Sequence, residues 1–202
     1  MKTVKIFVHD PQIELDCAHA TATALKTKFK VQMLTVDTLA DGLHDADILA
    51  VGGGIGDADT FFSIMSKKNK AAVQKFVHWG GKYLGICMGA YWADKRYFDV
   101  TNMDVRQYCT SRGADITHEE PAVASVVWRG EKHQMYFYDG CTFYNTGDAD
   151  IVATYKNNRP MAVLDHSVAL IGCHPESEDW WFSAYNKRHG ELLCELAQEL
   201  AK

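Results

Sequence analysis

The chain has 202 residues, enough to bury one sizeable core and usually too few for two full domains. Its net charge of −5, without a basic stripe, argues against nucleic acid as a main partner. No apolar run is long enough to span a bilayer, so a cytoplasmic protein with no membrane partner is expected, built as one domain over residues 1–202.

The opening segment, Met1 to Asp10, has too short an apolar stretch for a signal peptide and suits a first strand, over residues 5–8. Residues 16–30 read as a helix with Asp16 as its N-cap and with Leu25 and Phe29 on one face. Residues 31–36 read as a second strand. The apolar run 46–51 stops at Gly52-Gly53-Gly54, as a buried parallel strand does. Residues 60–79 read as one helix closed by Gly80-Gly81, and 83–86 as another buried strand that passes straight into a helical stretch from Met88. Repeated strand–helix units predict an α/β fold with a doubly wound, mostly parallel sheet. The second half changes character. Strands at 123–128 and 134–138 flank Arg129-Gly130-Glu131-Lys132, and strands at 151–155 and 160–164 flank Lys156-Asn157-Asn158-Arg159. Both pairs read as antiparallel hairpins. A last strand at 168–173 precedes a closing helix with Leu192, Leu193, Leu196 and Leu200 on one stripe.

Six cysteines are scattered without a C-x-x-C pair, so neither a zinc site nor a thioredoxin-like motif is indicated, and most of the thiols are expected to pack inertly. Cys87 is the exception. In Gly85-Ile86-Cys87-Met88-Gly89 it stands between a buried strand and a helix, with glycine two residues away on either side. A sharp strand-to-helix turn crowds its neighbours, and small residues at those offsets relieve the clash. Such an elbow lifts the sulfur above the carboxyl end of the sheet and sets it at a helix N-terminus, which favours thiolate. The competing reading is a buried structural cysteine. A second segment, Gly172-Cys173-His174-Pro175-Glu176, follows another buried strand. Pro175 keeps His174 extended, and residues two apart in an extended segment point the same way. His174 is thus expected as the base for Cys87 and Glu176 as the acid that orients it. Third, backbone amides of Gly52-Gly53-Gly54-Ile55-Gly56-Asp57 are expected to hold an oxyanion together with the amide of Met88. A dinucleotide loop is disfavoured there, because the third glycine is missing and Asp57 and Asp59 would repel a pyrophosphate.

With these segments in place, the sequence resembles the class I glutamine amidotransferases. The Cys87 elbow and His174-Pro175-Glu176 are similar to that family's nucleophile and H-P-E motifs. Ala153-Thr154-Tyr155 and Pro160-Met161-Ala162-Val163 are similar to its run-up to the histidine. The nearest likeness is the amidotransferase-like domain at the N-terminus of fungal biotin-protein ligases and its free-standing bacterial relatives. That group is matched nearly residue for residue by Gly80-Gly81-Lys82-Tyr83-Leu84-Gly85-Ile86-Cys87 with Gly89-Ala90-Tyr91, and again in Tyr138-Asp139-Gly140-Cys141. The resemblance implies a flavodoxin-like sheet, a Cys87–His174–Glu176 triad, a thioester intermediate, and an oxyanion held by the amides of Gly53 and Met88, with Gly52 or Gly54 as alternatives to Gly53.

The sequence departs from true glutamine amidotransferases at Tyr91, where those enzymes usually carry a substrate-holding glutamine. Gly54 and Tyr91 are therefore expected in the pocket, with a ligand other than glutamine. No synthase segment is seen to receive ammonia, and no Gly-Arg-Gly-rich biotinyl-adenylate loop, so biotin ligation is not expected. The leading expectation is a cysteine-dependent amide hydrolase or amidotransferase-like enzyme acting on a small amide or peptide-like substrate. The alternative is a non-catalytic binding or regulatory module. In that reading Tyr91, Trp92, Trp128 and Tyr136-Phe137-Tyr138 would line a ligand site, although large aromatics more often fill cores. A third reading is a redox sensor at Cys87. His9 and Asp10 read as a solvated turn, with the pocket border as the alternative, His118-Glu119-Glu120 as a solvated charge cluster, and Asp16-Cys17-Ala18-His19 as a helix start rather than a metal motif. No metal and no cofactor are expected.

Overall fold

In the computed structural model of the chain, which describes residues 1–8, 15–54 and 57–202, the first half winds as alternating strands and helices. β1 (Thr3–Phe7), β2 (Lys30–Leu34), β3 (Ile48–Val51) and β4 (Lys82–Ile86) lie parallel in the order β2-β1-β3-β4. α1 (Leu15–Leu25) connects β1 to β2, and α2 (Leu39–Gly42) connects β2 to β3. A 3-10 turn (Ala58–Thr60), α3 (Phe61–Ile64) and α4 (Lys67–His78) connect β3 to β4. α5 (Met88–Trp92) follows β4 after a single residue.

The second half is built from hairpins. β5 (Asp104–Gln107) pairs antiparallel with β8 (Cys141–Tyr144) in a small separate sheet. β6 (Ala122–Trp128), β7 (Glu131–Phe137), β9 (Asp150–Tyr155), β10 (Pro160–Asp165) and β11 (Val168–Ile171) extend the main sheet, and α6 (Lys187–Leu200) closes the chain. The whole order is β2-β1-β3-β4-β11-β10-β9-β6-β7. β11 turns back from β10 through a hairpin and then lies parallel to β4, with Ile171 opposite Ile86. That insertion joins the two halves, and the sheet is α/β and doubly wound as the sequence implies.

The inner parallel strands β1, β3 and β4 are mostly apolar and buried because both faces are covered, whereas the edge strand β2 carries Lys30 and Gln32. Val4, Ile6, Ile48 and Ala50 pack into a core that includes Leu25 of α1 and Leu192 and Leu196 of α6. Phe7, Leu49 and Val51, pointing the other way, pack into a second core with Val73 of α4 and Trp92 of α5.

Several element boundaries differ from the sequence reading; Glu131 and Lys132, read as part of a turn, open β7, and the strand read at 168–173 ends at Ile171. The first helix ends at Leu25, and Lys30 already opens β2. Asp16 lies in the first helical turn, inside the helix, and so is not its N-cap. The stretch 60–79 is not one helix: Met65 is extended, and Ser66 starts α4 afresh by accepting the Asn69 amide at 3.1 Å. A serine cap in the middle of an apolar-periodic stretch is a restart signal that periodicity alone conceals.

Candidate active site

Cys87 is the hinge between β4 and α5, and its backbone is in an unusual conformation (φ 50°, ψ −107°) that non-glycine residues rarely occupy. The flanking glycines have a steric cause. A Cβ on Gly85 would stand 2.6 Å from the Gly89 carbonyl oxygen, and one on Gly89 would stand 1.9 Å from the Val51 carbonyl oxygen of β3. Backbone therefore packs on backbone around the turn, which exposes the residue at its apex to the cavity. The Cys87 amide donates to the Ile171 carbonyl at 2.8 Å, so the elbow is tied directly to β11.

Because β4 and β11 are parallel neighbours in matching register, the residues after Ile86 and after Ile171 leave the same edge of the sheet. This brings His174 to Cys87, although 87 positions separate them in the chain. His174 is held by its amide, which donates to the Tyr136 carbonyl at 2.9 Å, and its ring lies against those of Tyr136 and Trp181. Its Nδ1 lies 2.9 Å from Glu176 Oε1, and both side chains are buried. A carboxylate can only accept, so Nδ1 donates and Nε2 is left as the acceptor. Nε2 has no hydrogen-bond partner among the described residues. Burial opposes charge on the imidazole, but a Cys87 thiolate and the Glu176 carboxylate outweigh it, so a proton passed from the thiol to the ring is held there well above the ordinary histidine value. The Cys87 sulfur also lies within reach of the Tyr138 carbonyl, 3.4 Å away.

Cys87 opens into a cavity of about 580 Å3, in the range of small-ligand sites, whose wall includes Gly54, Met88, Tyr91 and Tyr138. The Tyr91 hydroxyl donates to the Asp139 carbonyl at 3.2 Å, tying α5 to the loop before β8. Gly53 lies deeper, where a Cβ would stand 2.7 Å from His174 Cε1. The cavity carries five carboxylates, those of Asp57, Asp94, Glu119, Glu120 and Asp139, against the guanidiniums of Arg96 and Arg106. Arg96 is engaged by Asp59 at 2.8 Å and Arg106 by Asp104 at 3.3 Å. Burial, together with the charges of Glu119 and Asp57, raises the Asp139 carboxyl above its usual range in spite of a hydrogen bond from Gln107.

Several residues sit differently from their sequence reading. Glu119 and Glu120 are exposed, but they also line the cavity. The aromatics divide: Trp92, Trp128 and Phe137 are core, whereas Tyr91 and Tyr138 face the cavity and Tyr136 backs His174. Cys17 was read as part of a helix start in preference to a metal motif. Its sulfur, a His174 ring nitrogen and a Glu176 oxygen all lie within 4.8 Å of one another. Nothing near Cys17 in sequence points to His174 and Glu176, because only the tertiary fold brings them to it. His9, Asp10, Ile55 and Gly56 lie outside the described residues.

Residues 13–110 match the family described as biotin-protein ligase, N terminal. No curated protein matches the chain in sequence at a significant level. Among solved structures, a glutamine amidotransferase superposes with TM-score 0.69 at 18% identity, covering 98% of each chain. A glutamine amidotransferase from Thermotoga maritima gives 0.69 at 14% identity over 100% of this chain and 98% of the other. Another from Methylobacillus flagellatus gives 0.62 at 14% identity over 100% and 93%. The chain thus has the fold of glutamine amidotransferases and is similar, over residues 13–110, to the family described as biotin-protein ligase, N terminal.

Proposed function

We propose that the protein is a cysteine-dependent amide hydrolase, or an amidotransferase-like enzyme, that works through Cys87, His174 and Glu176. The observation that carries this reading is a cysteine on a strained elbow at the floor of an open cavity, beside a buried His174–Glu176 pair. Strain of this kind costs about 1–3 kcal/mol and persists where the surrounding structure over-determines it, chiefly at functional sites.

In this mechanism the thiol gives its proton to His174 Nε2. The thiolate attacks the amide carbonyl carbon, and the carbonyl electrons move to an oxyanion stabilised by the amides of Met88 and Gly53. Those two amides donate to no other group among the described residues. The oxyanion collapses, the C–N bond breaks, and the imidazolium passes its proton to the leaving nitrogen, leaving a thioester on Cys87. Water, or an amine acceptor, then gives a proton to Nε2 and attacks the thioester, and its sulfur leaves to regenerate the thiol. Glu176 keeps the ring in the tautomer that leaves Nε2 free and stabilises the imidazolium. The acidic balance of the cavity favours a neutral or cationic amide over an anionic one, and it weighs against nucleic acid. Tyr91, tied to Asp139, occupies space in the wall and supports a substrate other than free glutamine.

The test is alkylation by iodoacetamide at pH 7, mapped by peptide mass spectrometry. Cys87 should label well ahead of the other five cysteines, and the selectivity should collapse in His174→Ala. A screen of small amides should then find turnover that Cys87→Ala abolishes while leaving the far-UV circular dichroism unchanged. Labelling of Cys87 no faster than the rest, and indifferent to His174, would mean that the fold serves as a binding module.

A further inference from the structure

We propose that Cys17, His174 and Glu176 form a binding site for a thiophilic divalent transition-metal ion, with Zn2+ as the probe, and that occupation of this site withdraws His174 from Cys87. The donors come from α1 and from the segment after β11, and they already lie within 4.8 Å of one another. A tetrahedral zinc ion, with bonds of about 2.3 Å to sulfur and about 2.0–2.2 Å to nitrogen or oxygen, holds its donors roughly 3.3–3.6 Å apart. Side-chain rotations of about 1 Å close that difference. One soft sulfur, one imidazole and one carboxylate make a donor set that suits zinc and disfavours magnesium or calcium, which take oxygen ligands.

A buried polar atom points to an ion here. The Glu176 side chain has no exposed surface, and its Oε2 has no hydrogen-bond partner among the described residues. The proton relay uses Nε2 and Oε1 but gives Oε2 nothing to do, and a buried carboxylate oxygen left unpaired is costly. Gly53 borders the space: a Cβ there would stand 3.3 Å from Cys17 Sγ and crowd the His174 ring. The neighbouring His19, which a sequence motif would have included, is exposed and is not one of the donors.

Binding requires Cys17 as thiolate, so one thiol proton is released per ion and affinity falls on acidification. An ion held by His174 and Glu176 competes with their roles in proton transfer. The site itself does not depend on the catalytic reading; only this inhibitory consequence does.

The experiment uses the full chain, stripped with chelator and kept reduced. Zn2+ is titrated against a chromophoric chelator, and Co2+ is followed through its thiolate charge-transfer absorption. The wild type should take up one equivalent of either metal. Cys17→Ser and Glu176→Gln should each weaken binding by about tenfold or more, with the cobalt–thiolate band lost in Cys17→Ser. Cys87→Ser should bind as the wild type does. Zn2+ should also abolish the selective alkylation of Cys87 in the wild type, reversibly with EDTA, but not in Cys17→Ser. The proposal is overturned if the wild type binds no stoichiometric metal, if binding survives Cys17→Ser, or if it disappears in Cys87→Ser. Absence of selective alkylation in the metal-free wild type would count against the enzymatic reading alone, because the metal titration needs no catalysis.

Discussion

The two halves of the molecule build their contributions to the site in opposite ways. The parallel half places Cys87 by local means, through a strand, one strained residue, a helix, and glycines that let backbone meet backbone. The hairpin half places His174 by a long-range route, since the chain passes through β6, β7, β9 and β10 before β11 slots in beside β4. The position of the thiol therefore depends on the steric fit of a few adjacent residues. The position of the imidazole depends on strand order and register. A one-residue slip between β4 and β11 would turn His174 and Glu176 away from the cavity, because side chains alternate along an extended segment.

The largest expected effect is at the elbow. In Gly89→Ala the new methyl meets the Val51 carbonyl, and neither side is a flexible chain that can give way. A loss of about 3 kcal/mol or more is expected from urea unfolding. A wild-type midpoint in this variant would show that the elbow tolerates rearrangement and that its geometry is not locally dictated.

Acid should probe the other half. His189 is 1% exposed, and burial, aided by neighbouring His133, pushes its pKa down to about 4. Its folded-state value lies below the unfolded value of about 6.5, so its neutral form contributes stability above pH 6.5, and that contribution is lost as pH falls towards 4. The loss reaches at most about 3 kcal/mol, reduced by solvent in the adjoining cavity lined by Lys132 and Lys187. Urea midpoints of the wild type should fall between pH 6.5 and 4.5 more steeply than those of His189→Met. Parallel slopes would show that His189 does not titrate in this window.

Smaller effects separate strain from crowding. At the Cys87 backbone angles glycine is more comfortable than alanine, so Cys87→Gly should be about 1 kcal/mol more stable than Cys87→Ala by the same assay. The reverse order would mean that the elbow carries no backbone strain. Gly130, in the two-residue turn between β6 and β7, has φ +88° but open space around it. Gly130→Ala should therefore cost only about 1 kcal/mol, from backbone conformation alone. A cost equal to that of Gly89→Ala would erase the distinction between the two halves.

Much of this was legible in the chain. The apolar runs ending in glycine mark the buried parallel strands, and the Gly-x-Cys-x-Gly pattern carries its own steric explanation. Arg129-Gly130 does turn the first predicted hairpin, with Trp128 opposite Glu131. The small β5–β8 sheet was not legible. Its strands are four residues each and lie 34 positions apart, measured from Gln107 to its register partner Cys141, with no turn signal joining them. The restart of the helix at Ser66 was hidden for a different reason, since apolar periodicity continues across the break.

Sequence alone determined which residues are chemically equipped, because a thiol between two glycines and a histidine two residues before a carboxylate are properties of short segments. It could not determine what each of those groups faces. That Cys87 Sγ lies within reach of the Tyr138 carbonyl, that Tyr91 reaches Asp139, and that Cys17 stands beside His174 and Glu176 all follow from the order of strands in one sheet and from helices laid across it. The physical reason is range. Backbone strain, proline restriction and strand alternation act over a few residues, whereas burial of apolar faces brings distant segments together and decides which polar groups meet there.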